Sequence, residues 1–212
     1  MLPESPLLAA FALASILLIV SPGPDTLYVA SRSVGQGRVA GVIAAFGISS
    51  GIIVHSIIVA TGLAGLLTLV PLAYDAVRLA GAAYLLYLAW AAFAGHERAD
   101  VFAAASMPRR RLFRVFREAL FTNVLNPKVA VFFLAFLPQF TDPAKGRLAL
   151  QIISLAALFF CGGLAYLLIV ALTFGAIGGW LKERPAFARA QRWTMGTVLG
   201  AMAIWLAWPE RR

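Results

Sequence analysis

Two short stretches place groups capable of chemistry inside otherwise apolar sequence: "SPGPD" at 21 to 25, directly after "LLAAFALASILLIV", and "NVLNPK" at 123 to 128. Asp25 brings a carboxylate that can accept an ammonium group or carry a proton, and Lys128 brings an ammonium that can meet a carboxylate. Prolines cannot donate to a helix ladder, so Pro22, Pro24 and Pro127 are expected to interrupt their helices. Each helix then restarts, with Asn126 suited to the N-cap and Pro127 to the first helical position. A restart aims unpaired N–H groups and a positive dipole end into the gap, which is how a broken helix holds a substrate carboxylate. Pro22, Gly23, Pro24, Asp25, Asn123, Asn126, Pro127 and Lys128 are therefore the candidate substrate-binding residues, with Asp25 also a candidate for proton coupling. The plainer alternatives are that Asp25 only caps its helix and that Lys128 snorkels to an interface. An ionisable group at a bilayer centre costs about 2.5–3.5 kcal/mol on insertion scales, which makes an idle one improbable and a snorkelling one cheap.

The elements that must position these groups are set by composition. Of 212 residues 61% are hydrophobic and 13% charged, and mean hydropathy is +0.86. A soluble domain carries roughly a quarter charged residues, so this chain is expected to be solvated by lipid. The net charge of +9 lies in short segments between apolar runs, which fits membrane topology better than nucleic acid. The single cysteine, Cys161, is expected to be buried in its apolar run, and one cysteine excludes an internal disulfide or a thiolate metal cluster. No cofactor is expected, and no phosphate-binding G-x-x-x-x-G-K-[ST] motif occurs.

Six apolar stretches cover 6 to 31, 39 to 70, 72 to 95, 117 to 140, 148 to 179 and 193 to 208. Most reach the roughly 20 residues that a helix needs to span a bilayer. The first lacks a basic leader and a small-x-small cleavage site, so it reads as a retained helix rather than a signal peptide. The Lys and Arg residues divide unequally. Arg32, Arg38, the cluster Arg98 to Arg117, Lys182, Arg184, Arg189 and Arg192 fall on one side, and Arg78, Lys145, Arg147, Arg211 and Arg212 on the other. The richer side is expected to be cytoplasmic, with both termini outside. Loop 96 to 118 interleaves Leu112, Phe113 and Phe116 with arginines, and it could lie on anionic lipid as well as report topology. Trp90, Trp180, Trp193, Trp205 and Trp208 fall near helix ends, as an interfacial aromatic belt does.

"GRVA" at 37 to 40 and "GRLA" at 146 to 149 open the second and fifth runs, while "LYLAW" at 86 to 90 and "IWLAW" at 204 to 208 close the third and sixth. The fold expected is thus an all-α integral membrane protein of six helices. It forms one transporter domain: repeat one at 1 to 95, a basic loop at 96 to 116, and repeat two at 117 to 212. Copies of three helices enter from opposite sides, giving an inverted repeat with interrupted first and fourth helices. One tension is that both interruptions fall toward the cytoplasmic half, whereas an ideal inverted repeat sets them symmetrically about the midplane.

His55 could shuttle protons or simply bond between helices, and His96 reads as a solvated helix end. Gly47 and Gly51 form a small-xxx-small pair suited to close helix packing. "GISSG" at 47 to 51 also matches G-x-S-x-G. On a helix, however, Ser49 lies about 240° and Ser50 about 140° from His55, so an intramembrane serine hydrolase is disfavoured. A small polytopic assembly factor is the remaining alternative, and it has no need of two broken helices.

The "SPGPD" ending of the first helix, the GxxxG-style second helix, six apolar segments in some 200 residues and "NPK" in the second half resemble the LysE/RhtB family of bacterial amino acid exporters. The resemblance covers nearly the whole chain. It implies a non-enzymatic secondary transporter in the bacterial inner membrane, driven by the proton gradient. Members differ in solute: basic amino acids, threonine, homoserine and its lactone, leucine, and cysteine-related metabolites. The partners expected are a small amino acid-like substrate, protons and membrane lipids, and a homodimer is left open.

Overall fold

The computed structural model describes residues 5–63, 71–94, 109–181 and 185–208, and all regular structure among them is helical. His96, Arg98, Lys182, Arg184, Arg211, Arg212 and the side chain of Trp180 lie outside the described residues. The elements are α1 (Ser5–Val20), α2 (Pro24–Gln36), α3 (Arg38–Ile58), α4 (Pro71–Ala94), α5 (Leu112–Val124), α6 (Pro127–Val131), α7 (Leu148–Leu181) and α8 (Pro185–Ala207). A wide π turn, Val59–Leu63, extends α3, and α6 continues through a π turn (Phe132–Phe136) into a tight 3-10 turn (Leu137–Phe140).

Both proline motifs break their helices. α1 closes with the Ser21 N–H on the Leu17 carbonyl at 3.0 Å, Gly23 is extended, and α2 restarts with Pro24 in its first turn. Asn126 caps α6, and Pro127 begins it. The bends are nearly equal, 47° between α1 and α2 and 48° between α5 and the Pro127–Phe140 segment. Each "GR" motif opens on a glycine of positive φ, but the arginines differ: Arg38 begins α3, whereas Arg147 itself has φ +51° and α7 begins at Leu148. Gly37 has φ +96° and Gly146 φ +66°, a region open to glycine without Cβ strain, and each turns the chain into the next long helix.

Among the described residues three helices are long and apolar enough to cross a membrane, and up to five spans result if each bent pair is one. α8, whose first turns carry Arg189 and Arg192, is not among them. It begins at Pro185, eight residues before the expected run. α5 likewise starts at Leu112, inside the segment expected to be loop, because Val115 and Ala119 face inward and are buried. Cys161 is exposed on α7, a correction to the expectation of burial that its apolar neighbours suggested.

The outer surface is apolar, with Leu13 and Ile16 on α1, Ile53 and Ile57 on α3, and Ile169 and Leu172 on α7 all exposed. A continuous apolar exterior belongs in lipid, and this is an all-α, multi-pass membrane protein. Between helices in lipid there is little hydrophobic drive, so packing and close approach decide. Phe11, Phe132, Phe133, Phe136, Phe140 and Phe159 form a ring cluster around α1, α6 and α7, with centroids 4.8–6.3 Å apart. Each such pair contributes about 0.5–1.5 kcal/mol. A second cluster, which mixes Ala44, Ala45, Ala119 and Ala171 with Val29, Ile48, Val115 and Leu167, seats α2 and α5 against α3 and α7.

Candidate functional site at the two helix breaks

α2 and α6 start, and α1 and α5 end, at the same place, so two positive and two negative helix ends converge there. The carboxylate of Asp25 does not cap α2: the N-cap is Gly23, with no side-chain cap bond. Instead Asp25 Oδ2 accepts from Asn123 Nδ2 at 2.7 Å, which ties α2 to the end of α5. Asn126 does cap, its Oδ1 accepting from the Lys128 N–H at 3.1 Å.

Lys128 is 7% exposed and turns inward rather than snorkelling. Its Nζ donates to the Ser21 carbonyl at 2.8 Å and the Leu18 carbonyl at 3.4 Å, capping the negative end of α1. The bare Gly23 lets it pass, since a Cβ there would lie 3.0 Å from Nζ. Lys128 and His55 are the chargeable groups that face Asp25. His55 Nε2 lies 3.2 Å from the Asn123 carbonyl, and its ring packs on Phe133. Neither serine of "GISSG" meets it: Ser50 Oγ donates to the Phe46 carbonyl, and Ser49 Oγ is buried without a partner.

The Asp25 Oδ1, Asn123 Oδ1, Asn126 Nδ2 and Ser21 Oγ atoms are also buried without partners. Leaving such an atom unpaired costs about 1–3 kcal/mol; the Asn126 side chain also interacts with the Asp25 carboxylate, so the junction is a buried polar cluster with spare hydrogen-bonding capacity. Asp25, Asn123 and Lys128 border a cavity of about 40 Å³ whose other walls include Leu18, Ile52, Phe159 and Leu167. That is room for about one water, so this conformation is closed around the polar cluster. The structure therefore brings Gly23, Asp25, Asn123, Asn126 and Lys128 together, with Pro22, Pro24 and Pro127 forming the breaks and His55 one bond away.

Gly47 and Gly51 are where α3 meets α5. A Cβ on Gly47 would strike the Phe116 carbonyl and Ala119, and one on Gly51 would strike the Asn123 side chain. Gly51→Ala is thus expected to cost about 1–3 kcal/mol of stability through overpacking and to slow transport by displacing Asn123 from Asp25. Gly62→Ala, where a Cβ meets nothing within 4 Å, should do neither. Thermal unfolding in detergent beside flux checks this, and equal behaviour of the two variants would count against it.

Two features were missed in the sequence. The carbonyls of Leu18 and Ser21 are backbone groups with no residue signature. The second is a polar knot: Arg32, 4% exposed, donates from Nη2 to Glu118 Oε2 at 2.9 Å and from Nε to Tyr28 Oη at 3.2 Å. The Tyr28 hydroxyl lies 3.0 Å from the same carboxylate oxygen. Arg32 sits two helical turns beyond Asp25 and Glu118 is the one acid of its region, and that pairing was the available signal.

The family described as LysE type translocator matches residues 16–209. An uncharacterized membrane protein of Pseudomonas aeruginosa is 30% identical over 204 residues, 93% of each chain. The homoserine/homoserine lactone efflux protein of Salmonella typhimurium is 33% identical over 144 residues, 68% of this chain and 69% of the relative. The leucine efflux protein of Salmonella choleraesuis is 26% identical over 201 residues, 93% and 92% of the two chains. No solved structure matches.

Proposed function

Because the chain belongs to the LysE type translocator family, we propose that it exports a small amino acid or close relative through the gap between its two helix breaks. It is a transporter and not an enzyme. The observation that carries the reading is the junction itself: an acid and a base from different breaks, buried in a polar cluster with spare hydrogen-bonding capacity. In this reading Asp25 accepts the substrate ammonium, and the α2 N-terminus and Lys128 attract its carboxylate. The apolar walls, Leu18, Ile52, Phe159 and Leu167, favour a neutral side chain. That agrees with relatives named for homoserine and leucine efflux. Since the cavity holds only about one water, loading requires α7 to move relative to the half-helices.

The finer points of the reading are proton antiport through Asp25, with His55 as relay, in a bacterial inner membrane. Both termini lie outside, and six spans form two inverted repeats, 1 to 95 and 117 to 212. The matched bends and the two left-handed glycines support the repeat. The basic loop 96 to 116 then faces the cytoplasm and anionic lipid.

Efflux of a panel of labelled amino acids from loaded cells tests the function, with homoserine and leucine expected to leave faster than lysine. No difference from cells lacking the protein, for any solute, would reject it. A cytoplasm-active fluorescent reporter is expected to light at Gly95 and stay dark at Arg212. The opposite pattern would invert the topology.

A further inference from the structure

Beyond the breaks, at the arginine-rich end of α2 and α5, an open cleft of about 590 Å³ is lined by Tyr28, Arg32, Arg110, Arg117, Phe121 and Leu125, with Glu118 beside them. Its charges do not balance. The Glu118 carboxylate is fully engaged, one oxygen by Arg32 and Tyr28 and the other by Arg114 at 2.9 Å. Arg110 stands near Glu118 without bonding it. Neither the Arg110 nor the Arg117 guanidinium has a hydrogen bond or ion pair among the described residues, and Arg110 Nε is buried with no partner. The apolar end is as unbalanced: Phe121 is 53% and Leu125 75% exposed.

A guest that suits this cleft brings negative charge to the arginines and hydrocarbon to Phe121 and Leu125. A zwitterionic amino acid fits poorly, because its ammonium finds three guanidinium groups, those of Arg32, Arg110 and Arg117, and no free carboxylate. A free inorganic anion leaves the apolar end uncovered. A phosphodiester on an acyl chain satisfies both ends, and arginine is the side chain best matched to phosphate oxygens. We propose that the cleft binds one anionic phospholipid, its phosphate between Arg110 and Arg117 and an acyl chain along Phe121 and Leu125. Basic pockets between membrane helices hold anionic headgroups in this way. The site also bears on transport, because α2 and α5 carry Asp25 and Asn123, and a lipid wedged between them biases how far they part. The binding claim is independent of the export reading; only its effect on flux rests on that reading.

The test uses the intact protein in nanodiscs with phosphatidylglycerol or phosphatidylcholine. Photoactivatable phosphatidylglycerol should label wild-type α5 around Phe121, and the choline lipid should not displace it. Arg110→Gln/Arg117→Gln should weaken that binding about thirtyfold, the scale of anionic-surface attraction for two basic residues. Labelling only elsewhere, equal labelling by both lipids, or full retention by the double variant would overturn the site. So would displacement by free homoserine, which would make the cleft a substrate antechamber. In proteoliposomes, removing phosphatidylglycerol should slow wild-type efflux and leave the double variant unchanged; wild-type flux indifferent to the lipid would overturn the link to transport. If no solute moves in either lipid, the export reading fails, while photolabelling still decides the site.

Discussion

Asp25→Asn is expected to abolish gradient-driven export, by on the order of a hundredfold or more, while the protein stays folded in the membrane. The magnitude is that of removing a charge from a buried hydrogen-bonded site. The fold should survive, because Asp25 caps nothing and its bond from Asn123 Nδ2 can pass to the amide oxygen of the variant. Two assays separate the roles of the carboxylate. Counterflow, which exchanges labelled for unlabelled solute without a gradient, should persist if Asp25 carries only the proton and vanish if it also holds the ammonium. Wild-type export by Asp25→Asn would leave the helix ends as the whole of the site.

The second large effect is expected at Lys128. Lys128→Met removes the ammonium from the Ser21 and Leu18 carbonyls and leaves Asp25 facing a site without its cation. Removing one partner from such a buried arrangement typically costs 3–5 kcal/mol, about that much being expected here. Thermal unfolding in detergent should show the loss, and export should fall with it. The two changes should not add. Asp25→Asn/Lys128→Met is expected to be more stable than Lys128→Met alone, because it removes the stranded carboxylate, and yet to transport nothing. Additive stability losses in that cycle would mean that the two residues act separately. Lys128→Gln, which keeps a donor for the α1 carbonyls, should recover stability ahead of transport.

These expectations show what could be read from the chain. The breaks were legible because proline removes a donor wherever it stands, so Pro24, Asn126 and Pro127 declare their positions locally. The pairing of Asp25 with Asn123 was not, since the angle between α2 and α5 decides which face of each meets the other. The destination of Lys128 was missed for a related reason. Sequence reading weighed the positive helix starts at the gap, and the negative end of α1 carries no side-chain mark. Gly47 and Gly51 announced a close approach, but that Gly51 receives Asn123 is a fact of register. Cys161 shows the limit of reasoning from neighbours, because an apolar run in lipid has an outward face as apolar as its inward one. The boundary at Leu112 was lost because amphipathic sequence rich in arginine looks like loop until Val115 and Ala119 are seen to pack.

The central claim, a carrier whose solute sits between the two breaks, is tested most directly by counterflow in proteoliposomes of the purified protein. Vesicles filled with unlabelled homoserine or leucine and placed in a trace of labelled solute should show a transient accumulation above equilibrium, which a closed carrier alternating about one site must produce. Asn123→Ala, which removes the 2.7 Å bond to Asp25 Oδ2, should reduce that overshoot. An absence of overshoot for every amino acid in the panel, with folded wild-type protein shown to be inserted, would contradict the account.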